Sequence, residues 1–264
     1  MDTGLLEKKF ARMGARLRIG EAADRWRGPQ GIDVGTDHRG EFFEIRLAPG
    51  EPAEYEVVDL RPELRHLLLL ARRGGEKEKY LCGHDERHWF VCAVPGASVS
   101  GVESAMEALQ PDLVRASVRV NLRRQKNRFR RRNEAFVRQG EWFFIPAPGL
   151  SVRGRDVRRN EPLSRGAGSK PHMCQYAYRI GGRAVMVCPR HPGGVGIAEY
   201  GKIIAANPKA ARWRWQAMTL DPRLYVRGRI WHSDHKTIVL DGWHRVVMNT
   251  EREAPFARRV AFLD

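Results

Sequence analysis

The chain has 264 residues, 42% hydrophobic and 30% charged, enough apolar material to bury a core and to exclude global disorder. No run of 18 apolar residues occurs, so no membrane-spanning helix and no membrane partner are expected. Lysine and arginine number 47 against 31 acidic residues, and the resulting net charge of +16 favours phosphate polymers as partners.

The N-terminus, Met1 to Lys9, has no basic segment followed by an apolar one. No secretory leader is expected. The four cysteines, Cys82, Cys92, Cys174 and Cys188, are too few for a disulfide scaffold and read as reduced thiols or metal ligands in a cytoplasmic protein.

Residues 4–13 predict a short helix stopped at Gly14. Ile32–Val34 and Glu41–Leu47 flank a turn and predict a hairpin, with further strands over 54–60 and 65–72. Lys79–Cys82 and His88–Val94 predict a second hairpin, closed by Pro95. The regular spacing of short strands predicts an antiparallel module over 1–97.

Ser100 and Glu103 match a capping box ahead of a short helix through Leu109. Pro111 and Asp112 suit the first turn of a second helix, and Gly140 its end. Val114, Val118, Leu122, Phe129 and Phe136 fall at spacings of four and seven, one apolar stripe on a long helix. A helical segment over 98–148 is therefore expected, with a strand at Glu141–Ile145. Residues 149–171, rich in glycine and arginine, predict a linker or long loop.

The module over 172–264 is read as strand-rich. Cys174–Ile180 and Arg183–Cys188 predict a hairpin through Gly181-Gly182, and Gly193–Gly196 a loop. Ile197–Ala206 predicts a helix. Arg212-Trp213-Arg214-Trp215 alternates like a strand with both tryptophans on a core face, and Tyr225–Trp231, Thr237–Leu240 and His244–Met248 predict the last strands. The fold class expected is α+β: an antiparallel β-rich N-terminal module, a long basic helix and a second β-rich module.

The strongest functional signal is the charge on residues 115–138. Arg115, Arg119, Arg123, Arg124, Lys126, Arg128, Arg130, Arg131, Arg132 and Arg138 face one acid, Glu134, so ten minus one gives +9 of the total +16. Like charges at i, i+4 repel on a helix, and a phosphate backbone relieves that repulsion through counterion release. Arginine forks onto phosphate and stacks on bases, and Asn121, Gln125, Asn127 and Asn133 offer contacts to base edges. Arg153, Arg155, Arg158, Arg159, Arg212 and Arg214 are expected to extend the basic surface. The function expected is RNA or DNA binding, alone or as a subunit of a larger nucleoprotein complex. The bland alternative is a solvated basic face or one docked on an acidic protein.

Three clusters could carry metal or catalysis. Cys82, His84, His88 and Cys92 flank a turn at a spacing uncommon for zinc, and His84–His88 fits no metalloprotease motif. His172, Cys174, Cys188 and His191 would converge if the predicted hairpin formed, giving four N and S ligands for zinc. His232, Asp234, His235 and His244 lie within thirteen residues near a turn. There His235 could act as a general base oriented by Asp234 or Asp241, or the three histidines could hold a water-activating divalent metal. That second arrangement describes a metal-dependent nuclease or phosphoester hydrolase.

Overall fold

The computed structural model describes residues 2–21, 31–47, 53–96, 98–164 and 170–251. It is β-rich with four α-helices among the described residues, and they divide into two compact units, 2–134 with 248–251, and 135–247.

In the first unit, helix α1 (Thr3–Arg12) starts where the Asp2 side chain accepts the Leu5 N–H at 2.9 Å. Strands β1 (Leu17–Glu21), β2 (Ile32–Asp37) and β3 (Gly40–Leu47) form a sheet in the order β1-β3-β2, with β1 parallel to β3. Strands β4 (Ala53–Arg61), β5 (His66–Arg73), β6 (Glu76–His84) and β7 (Trp89–Ala93) form an antiparallel meander. The run Leu67–Ala71 on β5 is apolar throughout because both faces of that strand are covered. Leu67 and Leu69 join Leu6, Phe10, Phe43 and Cys82 in one core. Leu68, pointing the other way, packs with Leu81 against Val102 and Ala105 of helix α2 (Val102–Ala108).

The cap of α2 differs from the expected box. Gly101 is the N-cap, the Ser104 hydroxyl accepts the Gly101 N–H at 3.0 Å, and Asp59 accepts that of Val102 at 2.8 Å. Glu103 is thereby released to pair with Arg128 at 2.7 Å.

Helix α3 spans Asp112–Asn121, ten residues, and the long basic helix does not form. Leu122 turns extended and buries its side chain, a 3-10 turn covers Gln125–Asn127, and Val137–Gln139 is already a strand, β8. A helix continued past Leu122 would stack Arg119 on Arg123, Arg124 on Arg128 and Lys126 on Arg130. The chain instead takes an irregular path on which Arg128 and Arg131 reach carboxylates elsewhere.

The second unit is built on a six-stranded sheet, β10-β11-β15-β16-β9-β8, made with β9 (Trp142–Pro146), β10 (Arg158–Leu163), β11 (His172–Ile180), β15 (Arg223–Trp231) and β16 (Ile238–Met248). Strand β10 lies inside the stretch expected as a linker. Strands β12 (Arg183–Cys188), β13 (His191–Gly196) and β14 (Gln216–Leu220) form a separate sheet, β13-β12-β14. β11 and β12 are thus not a hairpin: each pairs with partners in its own sheet, and the chain passes between them at Gly181-Gly182, both at positive φ. The expected glycine loop at 193–196 is part of β13. Helix α4 (Ile197–Ala206) forms as expected, but 212–215 is not a strand. Arg212 ends a 3-10 turn and Arg214 sits at φ 56°, left-handed, so β14 starts at Gln216. Among the described residues no helix is long and apolar enough to cross a membrane.

Candidate functional sites

The basic segment is held open by two of its own arginines. Arg128 pairs with Glu103 at 2.7 Å and Glu107 at 3.2 Å, both on α2, and covers the half-buried Phe129 ring at 4.4 Å. Arg131 pairs with Asp85 and, at 2.8 Å, with Glu86, on the β6–β7 turn. Arg115 pairs with Asp112 and donates to the Gln110 carbonyl at 2.7 Å. Arg138 donates to the Gly140 carbonyl at 2.9 Å, and Arg132, on the surface, has a contact of its own. Arg119, Arg123, Arg124, Lys126 and Arg130 are exposed and have no ion-pair partner among the described residues. Five cations therefore remain within twelve residues on a backbone fixed by the others. Of the amides, Asn121 donates to the Ser117 hydroxyl at 3.1 Å and Asn133 to the Asn127 carbonyl at 3.1 Å, so both serve the local fold.

The remaining predicted basic residues sit in the second unit. Arg153 and Arg155 are exposed around a 3-10 turn, while Arg158 lies 4.0 Å from Glu161. Arg212 and Arg214 are exposed, and beside them Trp213 and Trp215 stack on His191 at 6.1 and 5.5 Å rather than entering a core. Arg159 lies 5.6 Å above the Tyr176 ring, at one edge of an aromatic surface that the sequence reading did not find.

That surface is one face of the six-stranded sheet. Tyr176 stands opposite Arg227, Tyr178 opposite Tyr225, and Tyr225 opposite Arg245. The Arg227 guanidinium lies 5.2 Å from the Tyr176 ring and 4.9 Å from Trp243. All four aromatic rings are half-buried, whereas Ala177 and Val226, on the opposite face, are fully buried. The signal was present as alternation along β11 and β15, but only the register aligns it across strands.

The predicted histidine sites are regrouped. His172 opens β11, and the pairing of Met173 with Trp231 sets it beside the end of β15, where the β15–β16 connection carries His232 and His235. One ligand nitrogen from each of His172, His232 and His235 lies within 4.8 Å of the others. His172 stacks on His232 at 4.2 Å and on His235 at 5.3 Å between ring centroids. It is 2% exposed, and among the described residues neither ring nitrogen has a hydrogen-bond partner. Burial above all, then the neighbouring His232 and His235, holds its pKa down to about 3, so the ring is neutral.

The connection carrying the other two rings is fixed from several sides. Gln139, fully buried on β8, donates to the Lys236 carbonyl at 2.7 Å and the Ile230 carbonyl at 3.4 Å. Gly140, at φ 56°, packs directly on His235: a Cβ there would sit 2.7 Å from Nε2. The Asp234 N–H donates to His232 Nδ1 at 3.1 Å, leaving Nε2 to donate to the Lys170 carbonyl at 3.2 Å. Asp234 itself accepts from Lys170 Nζ at 3.2 Å and Ser233 Oγ at 2.8 Å.

His244 does not join this group. It lies on β16 opposite Val226, its Nδ1 2.8 Å from the Gly242 carbonyl. The four-ligand site of His172, Cys174, Cys188 and His191 does not form either. Cys174 is on the six-stranded sheet, with its thiol pushed up to about 12 by burial, while Cys188 and His191 face each other in the other sheet. In the first unit Cys82 enters the core, His84 packs edge-on against Trp89 at 4.8 Å, and His88 meets Glu41 at 2.6 Å, so that cluster disperses.

Comparison with known protein families, with curated proteins and with solved structures finds no match for this chain.

Proposed function

We propose that the protein binds nucleic acid through the basic segment formed by the last turn of α3 and the residues that follow it. The observation that carries this reading is the set of exposed, unpaired cations at Arg119, Arg123, Arg124, Lys126 and Arg130, on a backbone anchored by Arg128 and Arg131. Fixed cations without internal carboxylates gain free energy when they displace counterions from a phosphate backbone. The tyrosine, tryptophan and arginine face of the six-stranded sheet supports the same reading from a second surface. Half-buried rings interleaved with guanidinium groups suit unpaired bases more than a closed duplex, which favours single-stranded RNA or DNA.

The test is fluorescence anisotropy with single-stranded and duplex oligonucleotides across a range of salt. Replacing Arg119, Arg123, Arg124 and Arg130 together by glutamine is expected to weaken binding and to flatten the slope of log affinity against log salt by about 3, at roughly 0.7 per lost single-strand phosphate contact. Unchanged affinity and slope would remove the segment from the interface. An acidic protein partner, the competing use of the same cations, would leave oligonucleotide binding negligible even at low salt.

The second reading, a metal-dependent phosphoester hydrolase, moves from His232, Asp234, His235 and His244 to the group of His172, His232 and His235. The observation favouring it is the convergence of three imidazoles, one with both nitrogens unpartnered.

A further inference from the structure

We propose that His172, His232 and His235 form a binding site for one divalent transition-metal ion, zinc by ligand chemistry. The cost of the arrangement is the first argument. An imidazole at 2% exposure with no hydrogen bond at either nitrogen among the described residues is an uncompensated polar group, and coordination to a metal satisfies the nitrogen that carries the lone pair. The second is convergence. Imidazole nitrogens from three separate places, the start of β11 and two positions on the β15–β16 connection, come within 4.8 Å of one another. Three histidine nitrogens are a ligand set that suits zinc and leaves a fourth position open.

The surroundings suit ligation. Gln139 holds the end of β15 through the Ile230 carbonyl and the connection through the Lys236 carbonyl, and the Gly140 backbone backs the His235 ring. The Lys170 carbonyl takes the Nε2–H of His232, the outer contact by which a ligating imidazole is oriented. His232 then ligates through Nδ1, exchanging the Asp234 N–H for the ion. A tetrahedral ion with Zn–N distances of about 2.0–2.1 Å holds its ligands about 3.4 Å apart, so closure takes side-chain shifts of about an ångström. Asp234 stays outside the ligand set, held by Lys170 and Ser233.

The site stands independently of nucleic-acid binding and is tested without it. Untagged protein is stripped with a chelator, dialysed, and titrated with Zn²⁺ in competition with a chromophoric chelator; Co²⁺ serves as the visible-absorption probe of coordination. The expected result is one ion per chain, with tetrahedral Co²⁺ bands. His172→Ala and His235→Ala should each weaken Zn²⁺ by about 100-fold or more, beyond the usual cost of losing an outer-shell partner. Gly140→Ala should weaken it too, by displacing the His235 ring. His244→Ala and Cys188→Ser should bind as the wild type does. Should buried His172→Ala fail to fold, half-exposed His235→Ala carries the test alone. The proposal is overturned if the wild type takes up no stoichiometric ion, or if His235→Ala binds Zn²⁺ as tightly as the wild type.

Discussion

Acidification should destabilise the second unit through His172, and the size of the effect follows from its burial. An ordinary histidine titrates near 6.5, whereas His172 is held down to about 3 by burial and by the charges that His232 and His235 would carry. Above about pH 6.5 neither the folded nor the unfolded chain protonates this ring, and its contribution is intact. Between about 6.5 and 3 the unfolded chain takes a proton that the folded chain refuses, so stability falls as pH falls, by about 1.4 kcal/mol per pH unit. From pH 8 to pH 5 the loss amounts to about 2 kcal/mol. The assay is urea unfolding at a series of pH values with a chelator present, comparing wild type with His172→Phe. His84, whose pKa is also lowered by burial, is common to both proteins and cancels in the difference. The wild type should lose about 2 kcal/mol more than the variant over that range. Parallel pH profiles would refute the placement of His172 as a buried neutral ring.

Other substitutions separate structural from surface groups. Gln139→Leu removes the hydrogen bonds to Ile230 at the end of β15 and to Lys236 on the β15–β16 connection and should lower stability by about 1–3 kcal/mol in urea unfolding. Arg131→Gln removes the guanidinium that pairs with Asp85, which is 9% exposed, and with Glu86, and should cost about 1–3 kcal/mol, whereas Arg123→Gln should stay within about 0.5 kcal/mol of wild type. The reverse ranking is expected for oligonucleotide affinity, with Arg123→Gln weakening it.

Local structure was largely readable from the sequence where period and punctuation agree. The β2–β3 and β6–β7 hairpins form over the expected residues because apolar alternation meets a turn, and the apolar run Leu67–Ala71 is a strand buried on both sides. The apolar stripe from Val114 to Phe136 misled beyond Leu122. Spacing alone carries no information on where counter-charges lie, and Glu103, Glu107, Asp85 and Glu86 draw Arg128 and Arg131 off a helical path. The concentration of charge on this segment was legible; which five cations stay unpaired was not, because that depends on tertiary partners. His232 and His235 were singled out from their spacing, but His172 stands 60 residues before His232, and only the β11–β15 register joins them. The zinc arrangement with Cys188 failed for the complementary reason: a Gly-Gly pair reads as a hairpin turn, yet here it carries the chain from one sheet to another.

The most direct measurement is the salt dependence of wild-type binding to a single-stranded oligonucleotide. Engagement of the five unpaired cations predicts affinity that falls with salt with a log–log slope of about −3 to −4, at roughly 0.7 per phosphate. A slope near zero, or no binding at 50 mM salt or below (about the low end of the range in which such contacts are strong), would contradict nucleic-acid recognition by this surface.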